Sequence, residues 1–143
     1  MYDINTYMRK RKVQMTKSEL AAMSPAETEI LRIVWEQGGA TVQQVFDALP
    51  ESREITYATV QTLLRRLEKK GYLKHTRAGK AHVFSAAARK EEVISRTVGD
   101  FLNRLFGGDP LPLVQHLAEQ GRITKADLDR LQALVDGDPS KSK

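Results

Sequence analysis

Between Thr56 and Lys80 the chain gathers side chains suited to one kind of chemistry, the recognition of a polyanion with hydrogen-bonding edges. Thr56, Tyr57, Ala58, Thr59, Gln61 and Thr62 come first, bringing hydroxyls, an amide and small apolar groups. A Gln amide can bond bidentately to an adenine edge, a Thr hydroxyl adapts to several bases, and a small apolar group can touch the thymine methyl. Arg65, Arg66 and Lys69 follow, then Lys74, His75, Arg77 and Lys80. Cations placed like these neutralise phosphates, which supply salt-dependent affinity and register while base contacts supply selectivity. Arg53 to Lys80 holds eight basic and two acidic residues, a net of +6 in a chain whose total is +5. Residues 89–143 carry nine of each sign. Charge concentrated in one segment of an otherwise balanced chain is the footprint of a polyanionic partner, but an ordinary solvated face gives the same count. Arrangement decides between the two.

Ser24-Pro25-Ala26-Glu27 combines an N-cap serine, a proline at the first helical position and a glutamate at the third, which predicts a sharply started helix. Ile30, Leu31, Val34 and Trp35 give that helix an apolar face, and Gly38-Gly39 ends it. Thr41 with Gln44 caps a second helix whose buried side is Val42, Val45, Phe46 and Leu49, closed by Pro50. A third helix runs from Thr56 to Lys70. Val60, Leu63, Leu64 and Leu67 fall within about 100° of arc, while Ala58, Gln61, Thr62, Arg65, Arg66 and Lys69 lie opposite, and Gly71 stops the helix. Alternation through Tyr72–Arg77, a turn at Ala78-Gly79-Lys80 and a return along Ala81–Phe84 predict a basic hairpin. Three capped helices followed by a basic hairpin are the plan of a winged helix. Its third helix would lie in the major groove of DNA, with the residues from Thr56 to Thr62 nearest the bases and the later cations on phosphates. Tyr57 serves equally well as packing against the second helix.

Beyond Ser85 the period is helical again. Ile94, Val98, Phe101 and Leu105 recur at steps of four, three and four, the spacing of an inter-helix seam. Leu111, Leu113, Val114 and Leu117 predict a short helix, and Thr124 with Asp127 caps a last one carrying Leu128, Leu131, Leu134 and Val135. Such faces are too small to close a core alone, so their expected partner is the same segment of a second chain across a two-fold axis. The predicted fold class is mainly α with a small β-hairpin wing, a winged helix-turn-helix followed by a C-terminal helical dimerisation region. The expected divisions are a flexible basic arm at 1–22, the winged helix at 23–86, the dimerisation region at 87–136 and a disordered tail at 137–143.

Other function classes find little purchase. The chain of 143 residues has no cysteine, which removes disulfides, thiolate nucleophiles and thiolate metal sites. His75, His82 and His116 are scattered without ligand spacing, so no metal and no cofactor is expected. No catalytic triad, paired-carboxylate site or glycine-rich phosphate loop occurs at usable spacing, and the expectation is a protein that is not an enzyme. The absence of an apolar run of roughly 18 residues and of a secretory leader points to the cytoplasm. The run Arg9-Lys10-Arg11-Lys12 reads as a solvated arm able to brush phosphates.

The stretch from Ser24 to Trp35, SPAETEILRIVW, and that from Thr59 to Leu73, TVQTLLRRLEKKGYL, resemble the opening helix and the recognition helix of the penicillinase-repressor (BlaI/MecI/CopY) family. The resemblance extends from Met23 to about Val135. It implies a homodimeric transcriptional repressor on dyad operators of double-stranded DNA. It also implies a membrane metalloprotease sensor system whose signal leads to cleavage of an Asn-Phe bond in the first dimerisation helix. The matching bond here is Asp100-Phe101, with Asp in place of Asn. Gln61 likewise stands where the well-known members carry Arg, so base preference there differs. Two other readings remain open: a ligand-sensing repressor of the MarR type, which needs a pocket that no polar cluster marks, and a winged helix used for protein docking.

Overall fold

Each helix begins at a local hydrogen-bonding device. In the computed structural model, which describes residues 20–137, α1 (Pro25–Gln37) starts with a reciprocal capping box. The Ser24 hydroxyl accepts from the Glu27 amide at 3.1 Å, and Glu27 Oε1 accepts from the Ser24 amide at 2.8 Å. Two orphan donors of the first turn are thereby satisfied. Gly38 ends the helix in the left-handed region, φ 66°, which glycine enters without a Cβ clash. Thr41 and Gln44 repeat the box at the head of α2 (Val42–Ala48). Leu49 is the C-cap of α2 rather than a helical residue, and Leu49 and Phe46 are half-buried. Glu51–Arg53 forms a single 3-10 turn between Pro50 and the third helix, and Glu54 leaves it with φ 51°.

The third helix, α3, spans Tyr57–Lys69, with Thr56 and Lys70 serving as its caps. Val60, Leu63, Leu64 and Leu67 are its buried residues, as the 3.6-residue period requires. They meet Ile30, Leu31 and Val34 of α1 and Val45 of α2 in one apolar cluster. Strands β1 (Leu73–Ala78) and β2 (Ala81–Ala86) form an antiparallel hairpin pairing Leu73 with Ala86, His75 with Phe84 and Arg77 with His82. The hairpin is tied down at its root. Leu73 and Phe84 are buried in the same cluster, and Ala40 and Phe84 exchange two backbone hydrogen bonds at 2.9 and 2.8 Å. The arrangement is the mainly helical winged fold with a two-stranded wing that the sequence predicts.

Three helices complete the described chain: α4 (Lys90–Phe106), α5 (Leu111–Glu119) and α6 (Lys125–Val135). By internal contacts the chain divides after Thr97, inside α4. In the first unit Val93 joins the winged-helix core. In the second, α5 and α6 have no buried residue at all, although α6 carries a complete Thr124–Asp127 capping box. Among the described residues no helix is long and apolar enough to cross a membrane. The basic run Arg9–Lys12 and the whole tail beyond Gly137 lie outside the described residues.

Candidate nucleic-acid interface

One face of α3 holds the winged helix together and the opposite face is left to solvent. Thr56, Ala58, Thr59, Thr62, Arg65, Arg66 and Lys69 are exposed, and Gln61 is half-buried at the edge. Thr56 is committed in part to structure: its hydroxyl accepts from the Thr59 amide at 3.1 Å and shares a 2.9 Å hydrogen bond with the Thr59 hydroxyl. Tyr57 stands edge-on to Phe46 of α2, ring centroids 6.0 Å apart, yet remains 44% exposed. Its packing and its availability are thus compatible. Among the described residues none of Arg65, Arg66, Lys69, Lys74, Arg77 and Lys80 has a carboxylate partner. Six such cations on one helix and its adjoining wing give that face a positive potential that favours an anionic partner.

The cations left out of that group have partners that the sequence did not reveal. Arg53 pairs with Glu29 at 2.8 Å. Lys70, which adjoins the basic face in sequence, turns away from it: Nζ donates to Glu27 Oε1 at 2.7 Å and to the Ala22 carbonyl at 2.9 Å. Glu27 is 2% exposed, the one buried charged residue among the described residues. Burial by itself raises its carboxyl, but the hydrogen bond and charge of Lys70 and the donors from Ser24 outweigh this and hold it below the ordinary value. Tyr72 Oη donates to the Ala21 carbonyl nearby. Gly71 (φ 94°) lies between these contacts, and a Cβ there would come within 2.8 Å of Leu20. The C-terminus of α3 is therefore clamped to the start of α1 while its N-terminal half remains open.

On the wing, residues paired across an antiparallel hairpin share a face. Leu73, His75, Arg77, His82 and Phe84 lie on the face that Leu73 and Phe84 turn to the core; Lys74, Thr76 and Val83 lie on the other. His75 Nδ1 is 2.6 Å from Glu68 Oε2, and its ring stacks on His82 at 4.4 Å between centroids. Lys74, Arg77 and Lys80 are exposed.

The apolar seam of the later helices is uncovered. Ile94, Val98, Phe101 and Leu105 of α4 are between 43 and 64% exposed, and Leu128, Leu131 and Leu134 of α6 between 42 and 65%. Leu113 and Leu117 of α5 are half-buried. Within the second unit Phe101, Leu105, Phe106, Leu113 and His116 border an open hollow of about 550 Å³. The Asp100-Phe101 bond lies inside α4. Among the described residues no three His, Cys, Asp or Glu side chains are grouped as metal ligands.

Two side-chain pairs escape sequence reasoning, Glu27 with Lys70 and Glu68 with His75. The first pair is 43 residues apart and the second spans a helix-to-strand corner. Only the isolation of Glu68 as the single acid of α3 hinted at either.

The profile of the penicillinase repressor family matches residues 23–137. The penicillinase repressor of Staphylococcus aureus is 24% identical over 113 residues, covering 79% of this chain and 90% of its own. That of Bacillus licheniformis is 24% identical over 125 residues, covering 87% of this chain and 98% of its own. Among solved structures, the Bacillus licheniformis BlaI monomeric form in complex with the blaP half-operator aligns with a TM-score of 0.45 and 27% identity, over 51% of this chain and 89% of that one.

Proposed function

The chain belongs to the penicillinase repressor family of DNA-binding transcriptional repressors, which are not enzymes, and on that premise we propose that it acts as a homodimer on a dyad operator. The single observation that carries the DNA contact is the row of exposed cations on α3 and on the wing that have no carboxylate partner among the described residues. Thr56, Tyr57, Ala58, Thr59, Gln61 and Thr62 face base edges; Arg65, Arg66, Lys69, Lys74, Arg77 and Lys80 face phosphates. The exposed seam from Ile94 to Leu105, with Leu113, Leu117, Leu128, Leu131 and Leu134, joins two copies. A protein working this way acts in the cytoplasm, where the DNA is.

Release from the operator follows from the same seam. A cut at Asp100-Phe101 would part Ile94 and Val98 from Phe101 and Leu105 and so divide the contact between protomers. A membrane metalloprotease sensor system, the second partner that the resemblance implies, would act through this bond.

The test is binding to the DNA just upstream of the protein's own gene across a salt series. Arg65→Ala is expected to weaken all duplexes alike and to reduce the slope of log affinity against log salt by about 1. Gln61→Ala is expected to leave the slope unchanged and to cost about 1–3 kcal/mol of discrimination at one base pair. If both variants bind as the wild type does, α3 is not the reading element.

A further inference from the structure

We propose that His75 is a positioning residue, which fixes the angle between the wing and the recognition helix through Glu68 instead of contacting phosphate. The inference rests on the DNA-binding reading above and deepens it. Glu68 is the only acidic residue of α3, flanked by Arg65, Arg66 and Lys69. An isolated carboxylate on a helix that approaches phosphates weakens binding through repulsion unless it also contributes elsewhere. Its partner shows where that contribution lies, since Oε2 is 2.6 Å from Nδ1 of His75 and both side chains are about one-third exposed. A carboxylate can only accept, so Nδ1 carries the proton and donates.

The rest of the ring is also engaged. One face stacks on His82 at 4.4 Å with 23° between planes, and Phe84 lies at 5.6 Å. Phe84 is in turn held by its two backbone hydrogen bonds to Ala40. The wing is thus fixed to the α1–α2 connection on one strand and to α3 on the other. Arg77, opposite His82 in the hairpin, lies just beyond the clamp. Loosening His75 would let the distal wing, with Arg77 and Lys80, swing away from phosphates that α3 has already placed in register.

Glu68→Ala separates this role from simple electrostatics. Removing a negative charge from a DNA-facing helix should tighten binding if His75 is only another phosphate contact. The clamp demands the opposite: Glu68→Ala and His75→Ala each weaken binding about three- to tenfold, and the double variant is no worse than either single one. His75→Asn, whose amide nitrogen stands where Nδ1 does, restores most of the affinity. The measurement uses the full chain and a duplex that the wild type selects from a randomised pool, with hydroxyl-radical footprints to show loss of flanking protection. Amide hydrogen exchange is followed in the same variants without DNA, where the hairpin from Leu73 to Ala86 should exchange faster and α1 should not change. Tighter binding by Glu68→Ala, or unchanged wing exchange in both single variants, overturns the proposal. A wild-type chain that selects no duplex overturns the DNA-binding reading, and the exchange data still decide whether the clamp exists.

Discussion

A chain carrying Val98→Asp and Phe101→Asp is expected to sediment as a monomer and to bind a two-half-site operator about 10²- to 10⁴-fold more weakly than the wild type. Both side chains lie on the exposed seam of α4, 46 and 47% accessible; Phe101 also stands edge-on to Phe106, so the helix content of the variant is compared with that of the wild type by circular dichroism. In a two-fold interface the two carboxylates would stand against their own copies and the partner's leucines, desolvated and unpaired. The affinity lost is that of linkage: the second half-site is bound at the high effective concentration set by the first only while the protomers are joined. Binding to an isolated half-site should therefore be unchanged. Sedimentation velocity and titration on whole and half operators separate the two effects. A dimer that persists in the double variant would remove α4 from the interface.

Lys70→Met is expected to be the most destabilising single change at a charged residue, because it leaves Glu27 buried without its cation. Breaking a buried ion pair from one side costs roughly 3–5 kcal/mol, and the 29% exposure of Lys70 places this case toward the lower end. Unfolding can be followed through Trp35, the only tryptophan, at the end of α1. Glu27→Gln added to Lys70→Met should recover much of the loss, since a neutral amide needs no counter-charge.

The dependence on pH has a definite sign. In the wild type the Glu27 carboxyl is held below its ordinary value, so its contribution is complete above the unfolded value, near pH 4.5, and is lost as pH falls through the folded value. In Lys70→Met burial is opposed only by the hydrogen bonding with Ser24, so the carboxyl rises and the deficit should shrink on mild acidification. Wild-type and variant stabilities should converge as pH falls. Parallel pH profiles would mean that Lys70 does not set the state of Glu27.

Much of this molecule is legible because its signals are local. Ser24 with Glu27, Thr41 with Gln44 and Thr124 with Asp127 each close a hydrogen-bonded loop within one helical turn, so residue type and spacing suffice to place a helix start. The leucines of α3 and the Gly79 turn of the wing are similarly short-range. Long-range pairing carries no such mark. Lys70 lies in a run with Lys69 and looks like part of the solvated basic face, yet tertiary packing turns it to a carboxylate 43 positions earlier. His75 looks like one more phosphate contact of the wing, and only the approach of β1 to α3 makes it the partner of Glu68. The Glu51–Arg53 turn was invisible for a different reason: one 3-10 turn has no apolar period to betray it.

We propose above all that the exposed face of α3 reads base sequence. This is tested most directly by selecting duplexes from a randomised pool with the wild type and with Gln61→Ala, and comparing the enriched sequences. The wild type should enrich an inverted repeat, and the variant the same repeat with preference relaxed at one position in each half-site. Identical enriched sequences for the two proteins, or no enrichment by the wild type, would contradict that reading.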